Sequence, residues 1–393
     1  MSNYFEFFCP VKICSGTGAL ENIPSELDAL DAGRPMIIAD KGVEQAGLLK
    51  IVLDAFADSS IVVGAVYTDV PPDSGKQTVS AAAEVYRAKK CDALIAVGGG
   101  SVIDTAKGVN ILVSMGGTDL TVYAGAGALK KPLKPLIIIP TTAGTGSEVT
   151  LVAVIKDEDI EKKLLFVSQF LLPNVAVLDP RMTLTLPLFI TAATAIDALT
   201  HAIEAYTCLG KNPLSDAYAY NAIALIAENL IKIVQKPNDA KRRLLLANAA
   251  TMAGIAFSNS MVGLVHSLGH ATGAVCHIPH GVTMNIFLPH VLEYNMKKAG
   301  NDIACLLLPL AGPDVYYATP EYARAQKAVD VIRTLQKELR KFAGLPYTLS
   351  QTGKVNKDQF EEIAFKAIND ASLTYNPEEA DLTDVKLLLE RAF

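Results

Sequence analysis

Residues 93–115 read ALIAVGGGSVIDTAKGVNILVSM. The apolar run 93–97, closed at once by Gly98, Gly99, Gly100 and Ser101, has the length and residue types of a fully buried strand, and 102–115 then takes up helical spacing. Similar units flank it. Apolar, β-branched runs at 36–39, 61–67 and 136–139 read as strands, and amphipathic stretches at 42–56 and 75–89 read as helices. Strands alternating with helices up to about residue 180 predict a parallel sheet covered by helices. Ligands of such sheets sit at the carboxyl ends of the strands, so the residues just past each run are where chemistry is expected.

Three strand ends are informative. The first is followed by Asp40, the 93–97 run by the glycine turn, and the 136–139 run by Pro140 and TTAGTGSE over 141–148. A GGGS turn opening a helix lets backbone amides approach a pyrophosphate, and the helix N-terminus adds partial positive charge there. An Asp at a neighbouring strand end can accept hydrogen bonds from an adenosine ribose and repel a 2′-phosphate, which favours NAD over NADP. Thr141, Thr142, Thr145 and Ser147, broken by Gly144 and Gly146, suit a loop around sugar and phosphate oxygens. Each feature has a plainer reading: a glycine turn is common between strand and helix, and the hydroxyls fit an ordinary polar turn. The order also departs from the usual dinucleotide fingerprint, because Asp40 precedes the glycines. Lys163 can reach toward a cofactor or sit on a solvated hairpin tip, and Asp104 and Lys107, three apart on the helix, read as a surface pair.

The second concentration of chemistry is 265–285, VHSLGHATGAVCHIPHGVTMN. Five of the six histidines (His266, His270, His277, His280 and His290) lie in or just after it, and the sixth, His201, is four residues past Asp197. His266 and His270 share one helix face, as do Asp197 and His201, while Pro279 and Gly281 mark a turn around His280. Two helices and a turn can thus gather four N and O donors around one point, a set that suits Zn or Fe(II) better than Ca or Mg. Taken singly, His277 and His290 read as hydrogen-bonded core residues. Spacing alone leaves open which of the clustered histidines bind.

Composition narrows the classes. At 393 residues with half of them hydrophobic, the chain can build two or three domains with large cores, and a net charge of -6 without basic clusters argues against nucleic acid or an anionic membrane as partner. No apolar run reaches a membrane-spanning length, and the N-terminus lacks a basic start and apolar core, so a cytoplasmic protein with small-molecule partners is expected. Six cysteines without a C-x-x-C pair read as reduced, mostly buried thiols, Cys276 included. Beyond 183–187 the texture becomes Ala- and Leu-rich with helical periodicity, broken at 210–213, Pro237-Asn238, the His-rich turn and Gly312-Pro313; a Leu-rich tail over 377–393 is expected to dock on this half.

Four ordered motifs, GGGSVIDTAKG, TTAGTGSEVT, DALTHAIEAY and HSLGHATGAVCHIPHG, resemble in order and spacing the signatures of the iron-containing (group III) alcohol dehydrogenases, and the likeness covers nearly the whole chain. The resemblance implies the dehydroquinate synthase-like fold of that family: an α/β dinucleotide-binding domain with a parallel sheet flanked by helices over 1–185, an all-α metal-binding and substrate domain over 186–393, and the active site in the cleft. It implies metal ligands at Asp197, His201, His266 and His280, with His270 beside the metal as a proton relay or a wall residue. It implies nucleotide contacts from Asp40, Gly98, Gly99, Gly100, Ser101, Thr141, Thr142, Thr145 and Ser147, and from Lys163, whose surroundings form no sharp motif. A homodimer or larger homo-oligomer is expected.

The implied reaction moves a hydride between a short primary alcohol or diol, or its aldehyde, and NAD, with the metal polarising the substrate oxygen. Fe(II) rests on the resemblance, since intrinsic affinity favours Zn. Phe257, Val262, Leu264 and Val265 offer no Arg or Lys for a carboxylate or phosphate, which favours a neutral alcohol over a hydroxy acid or maleylacetate. Two rivals remain. A metal-dependent hydrolase leaves the nucleotide motifs without a job, and a non-catalytic nucleotide- or metal-binding protein has no need to keep all four ligands.

Overall fold

The computed structural model describes residues 4–160 and 162–393, which divide into two compact units: Cys9–Leu186, and Pro187–Phe393 joined by residues 4–8. The first unit begins with strand β1 (Lys12–Ser15) and helix α1 (Ile23–Asp28), then β2 (Pro35–Ala39), α2 (Lys41–Gln45), α3 (Leu48–Asp54), β3 (Ala65–Tyr67), α4 (Lys76–Ala88), β4 (Ala93–Gly98) and α5 (Gly100–Met115). Strands β5 (Gly125–Ala126), β6 (Leu136–Pro140), β7 (Val152–Asp157), β8 (Lys162–Val167) and β9 (Val175–Leu178) complete it.

Six strands form one parallel sheet in the order β1-β9-β6-β4-β2-β3. Alternate side chains divide between two cores. Met36, Ile38, Leu94, Ala96 and Ile138 pack with α4 and α5 on one face, and Ile37, Ile95, Ile137 and Val177 pack with α1 and α3 on the other. Burial on both faces is why β4 and β6 are uninterrupted apolar runs and do not alternate. A smaller sheet, β5-β8-β7, carries the β7–β8 hairpin.

Several expectations need correction. The run 61–67 is strand only over Ala65–Tyr67, an edge with half-exposed side chains. The helix expected over 42–56 breaks in two at Gly47, whose φ of 76° lies in the left-handed region. Strands β1 and β9 escaped sequence reading because four residues carry too little periodicity. Lys107 is not half of a surface pair. It is fully buried in α5, and its Nζ donates to Thr150 O and Val152 O, each at 2.8 Å, so the helix behind the glycine turn anchors the chain just after TTAGTGSE.

The second unit contains α6 (Leu188–Thr207), α7 (Pro213–Gln235), α8 (Ala240–Ser258), α9 (Leu264–Cys276), α10 (His280–Ala318), α11 (Arg324–Ala343), α12 (Phe360–Ile368) and α13 (Leu382–Ala392). Helix α7 starts on a capping box, with Asn212 Oδ1 accepting from Ser215 N at 3.0 Å and Pro213 at its first position. The break expected at Gly312-Pro313 is a kink inside α10, where Gly312 has φ 82°. Helix α13 docks on α10 and α12.

Helices α6 and α7 are long and apolar enough to cross a bilayer by length and composition, contrary to the reading that no stretch reaches that length. In α6, 78% of the apolar window is buried inside the structure, and the helix carries buried Asp197, His201 and Glu204. Its Ala-rich faces are apolar because they pack against α7 and α8. Among the cysteines, Cys91, Cys208 and Cys276 are buried, Cys9 and Cys14 half-buried and Cys305 exposed, so fewer are buried than the sequence reading held.

Candidate metal centre and nucleotide turn

Three helices build the centre. Helix α6 presents Asp197, His201 and Glu204 at i, i+4 and i+7, one face of a 3.6-residue repeat. Helix α9 brings His266, and His280 is the first residue of α10. The start of α10 can approach α6 only because residue 281 is glycine: a Cβ there would lie 2.2 Å from the Ala193 carbonyl oxygen. One ligand atom from each of Asp197, His201, His266 and His280 lies within 4.8 Å of the others.

These donors face one another without satisfying one another. Asp197 Oδ1, His201 Nδ1 and His266 Nε2 are buried and have no hydrogen-bond partner. His280 Nε2 stands 3.2 Å from Asp197 Oδ1, off the line of a hydrogen bond, and His201 Nδ1 stands 3.9 Å from the same oxygen. Orphaned buried donors and acceptors carry a free-energy cost of about 1–3 kcal/mol each, which a shared cation removes. Three nitrogens and a carboxylate oxygen fit a first-row divalent ion.

Protonation agrees with that fit. Burial pushes the imidazole of His201 down to about 3, and burial together with the neighbouring His280 and His270 holds His266 well below the ordinary histidine value. Burial also pushes the Asp197 carboxyl up, but His201 and His280 outweigh it and hold the group well below the carboxylate range. Neutral imidazoles and an ionised carboxylate are the forms that bind metal.

Glu204 is a residue of this site that the sequence reading missed. Its Oε2 lies 2.5 Å from His266 Nδ1 and its Oε1 accepts from Val265 N at 2.7 Å. A proton shared with Glu204 at Nδ1 leaves Nε2 as the free lone pair, the nitrogen that is orphaned in the cluster. Burial pushes Glu204 up to about 7, against the amides of Gly263 and Val265. The signal was present in DALTHAIEAY as a third acidic or imidazole residue at i+7. On the other side of His201, Phe257 stacks at a ring distance of 4.3 Å. His270 stays outside the four-residue cluster, with its side chain 45% exposed, and His277 caps α9 with φ 52°.

In the α/β unit, Ala39 pairs with Val97, so Asp40 and Gly98 leave the sheet from neighbouring strands. Asp40 Oδ1 caps α2 by accepting from Val43 N at 2.8 Å. The glycine turn and the TTAGTGSE loop are brought together: Thr141 N donates to Gly98 O at 3.0 Å, and Cβ atoms at Gly99 and Gly100 would meet Thr142 at 3.4 Å and Thr145 at 3.0 Å. Ser147 Oγ is turned to Asp104 Oδ1 at 3.1 Å. Lys163 lies on β8 and pairs with Asp73 at 2.9 Å, beside a cleft of about 90 Å³ that Ser74, Ser101 and Asp104 also line. Asp40, Thr141 and Thr142 do not line that cleft.

A parallel α/β unit with a glycine turn at a strand end and a helical unit holding an Asp-His₃ cluster define a class of metal-dependent oxidoreductase. Residues 10–180 match the family model for iron-containing alcohol dehydrogenase, and 191–393 match that for the C-terminal part of the Fe-containing alcohol dehydrogenase family. The NAD-dependent methanol dehydrogenase of Bacillus methanolicus is 33% identical over 386 residues, 98% of this chain and 99% of its own. The 1,3-propanediol dehydrogenase of Klebsiella pneumoniae is 33% identical over 391 residues, 99% of each chain. A solved 1,3-propanediol oxidoreductase superposes with a TM-score of 0.94 at 32% identity, covering both chains fully. The alcohol dehydrogenase from Oenococcus oeni gives 0.93 at 31%, covering 99% of this chain and all of its own. The chain belongs to the iron-containing alcohol dehydrogenase family, and it is an oxidoreductase acting on alcohols.

Proposed function

We propose that the chain interconverts short primary alcohols or diols and their aldehydes with NAD as cosubstrate and Fe(II) held by Asp197, His201, His266 and His280. One observation carries this reading: four ligand atoms lie within 4.8 Å of one another, three of them buried and unpartnered. When bound, the cation supplies Lewis acidity toward the substrate oxygen and the nicotinamide supplies or accepts the hydride.

The chain's own residues position and exclude. Glu204 holds His266 in one tautomer, and Phe257 packs against His201 and limits the space beside it. The stretch 257–265 carries no Arg or Lys to meet a carboxylate, which supports a neutral substrate. His270, beside His266 and His280, takes the hydrogen bond of the substrate hydroxyl. The amides of Gly99, Gly100 and Ser101 at the start of α5 receive the pyrophosphate, and Asp40 takes the adenosine ribose and disfavours a 2′-phosphate. Six free cysteines support a reducing compartment such as the cytoplasm.

The test is NADH absorbance with a panel of primary alcohols, diols and aldehydes, using protein reconstituted anaerobically with Fe(II), Zn or Mn. Activity that needs Fe(II) and NAD is expected. Turnover that is indifferent to Fe(II), that requires NADP, or that is confined to charged substrates would overturn this reading.

A further inference from the structure

Glu204 handles His266 in a specific way: one carboxylate oxygen is tied to a backbone amide and the other to imidazole Nδ1. The same arrangement recurs once more beside the centre. Asp370 Oδ1 accepts from Ser372 N at 2.8 Å, capping the turn Ala371–Tyr375, and its Oδ2 lies 2.9 Å from His270 Nδ1. The His270 ring stacks on His280 at 5.3 Å with 17° between planes and meets His266 edge-on at 5.8 Å. The two devices differ in access: the His266 side chain is 3% exposed and that of His270 is 45% exposed.

A carboxylate whose first oxygen is fixed by the backbone has a set orientation, and its second oxygen can only accept. It therefore selects the Nδ1–H tautomer of a neutral imidazole and fixes the ring plane. We propose that Asp370 is a positioning residue for the alcohol dehydrogenase reaction: it holds His270 as the Nδ1–H tautomer so that Nε2 offers its lone pair to the substrate hydroxyl. This rests on the reading of His270 given above. Nothing local in the sequence marks Asp370, which is 100 residues from its partner.

Asp370→Asn separates tautomer control from loop support. Asparagine caps a helical turn about as well as aspartate. With its single oxygen on Ser372 N, its NH₂ faces His270 Nδ1 and drives the ring proton to Nε2. Turnover is expected to fall about 100-fold or more, the scale of losing a positioned proton acceptor, with metal content and the KM for NAD unchanged. ¹⁵N NMR of histidine-labelled, Zn-loaded protein, with the His270 signals assigned by their loss in His270→Ala, is expected to show the proton on Nδ1 in the parent and on Nε2 in Asp370→Asn. Unchanged turnover in Asp370→Asn beside a slow His270→Ala would overturn the role of Asp370 alone, as would an Nε2–H ring in the parent. Full activity in His270→Ala would instead overturn the underlying reading of His270.

Discussion

The metal cluster and the glycine turn use opposite materials. The cluster is made of side chains: its four residues sit on three helices, three of the four are buried, and those three hold ligand atoms without hydrogen-bond partners. The turn is made of backbone, and its charged neighbours Lys163 and Asp73 are 61% and 73% exposed. A side-chain site depends on residue identity and on packing that presses three helices together. A backbone site depends on the absence of side chains. The two should therefore fail independently.

The largest effect is expected at the cluster. Asp197→Ala or His266→Ala should lose bound metal and lower turnover by at least about a thousandfold, as removal of a metal-held site does, while nucleotide affinity stays within a factor of two or so. Metal analysis and nucleotide titration of the same samples check both halves. Metal should also raise the melting temperature of the parent, by mass action on the folded state, and leave that of Asp197→Ala unchanged.

Gly98→Ala breaks the other region. Its Cβ would lie 2.5 Å from Val102 Cγ2, so the first turn of α5 must shift. A rise of about tenfold or more in the KM for NAD, with full metal content, is expected if these amides receive the pyrophosphate as proposed. Loss of metal in this variant would show that the two regions are coupled. Next comes Glu204→Gln, which keeps the side-chain volume and removes the carboxylate from His266. Metal affinity measured by chelator competition should weaken about 10- to 100-fold, the usual cost of an outer hydrogen-bond partner.

The smallest effect concerns Lys107, the anchor behind the glycine turn. Burial lowers its ammonium to about 8. The unfolded chain keeps that proton up to about 10.4, so between these values the unfolded state holds more protons and stability rises with pH; below about 8 the buried charge carries its full cost. Relative to Lys107→Met, the parent should gain on the order of 1–3 kcal/mol between pH 7 and 10, read from denaturant unfolding. A difference independent of pH would mean that Lys107 titrates alike in both states.

Legibility in the sequence follows the same division. Asp197 and His201, and the pair His266 and His270, were visible because helical spacing of donors is a local pattern. What brings α10 to α6 was not visible, since Gly281 against Ala193 is a contact between residues 88 positions apart. Glu204 was readable at i+7 and was passed over, whereas Asp370 had no local signal. In the α/β unit the long buried strands β2, β4 and β6 stood out, while the four-residue strands β1 and β9 did not. Lys107 was misjudged because charge spacing on a helix does not say which face is buried.

Whether one ion sits among Asp197, His201, His266 and His280 is settled by a crystal structure of anaerobically Fe(II)-loaded protein with anomalous data at the iron edge. A single anomalous peak within about 2.0–2.3 Å of one oxygen and three nitrogens from these side chains is expected. A centre without a peak in a sample that is catalytically active, or a peak bound elsewhere, would contradict it.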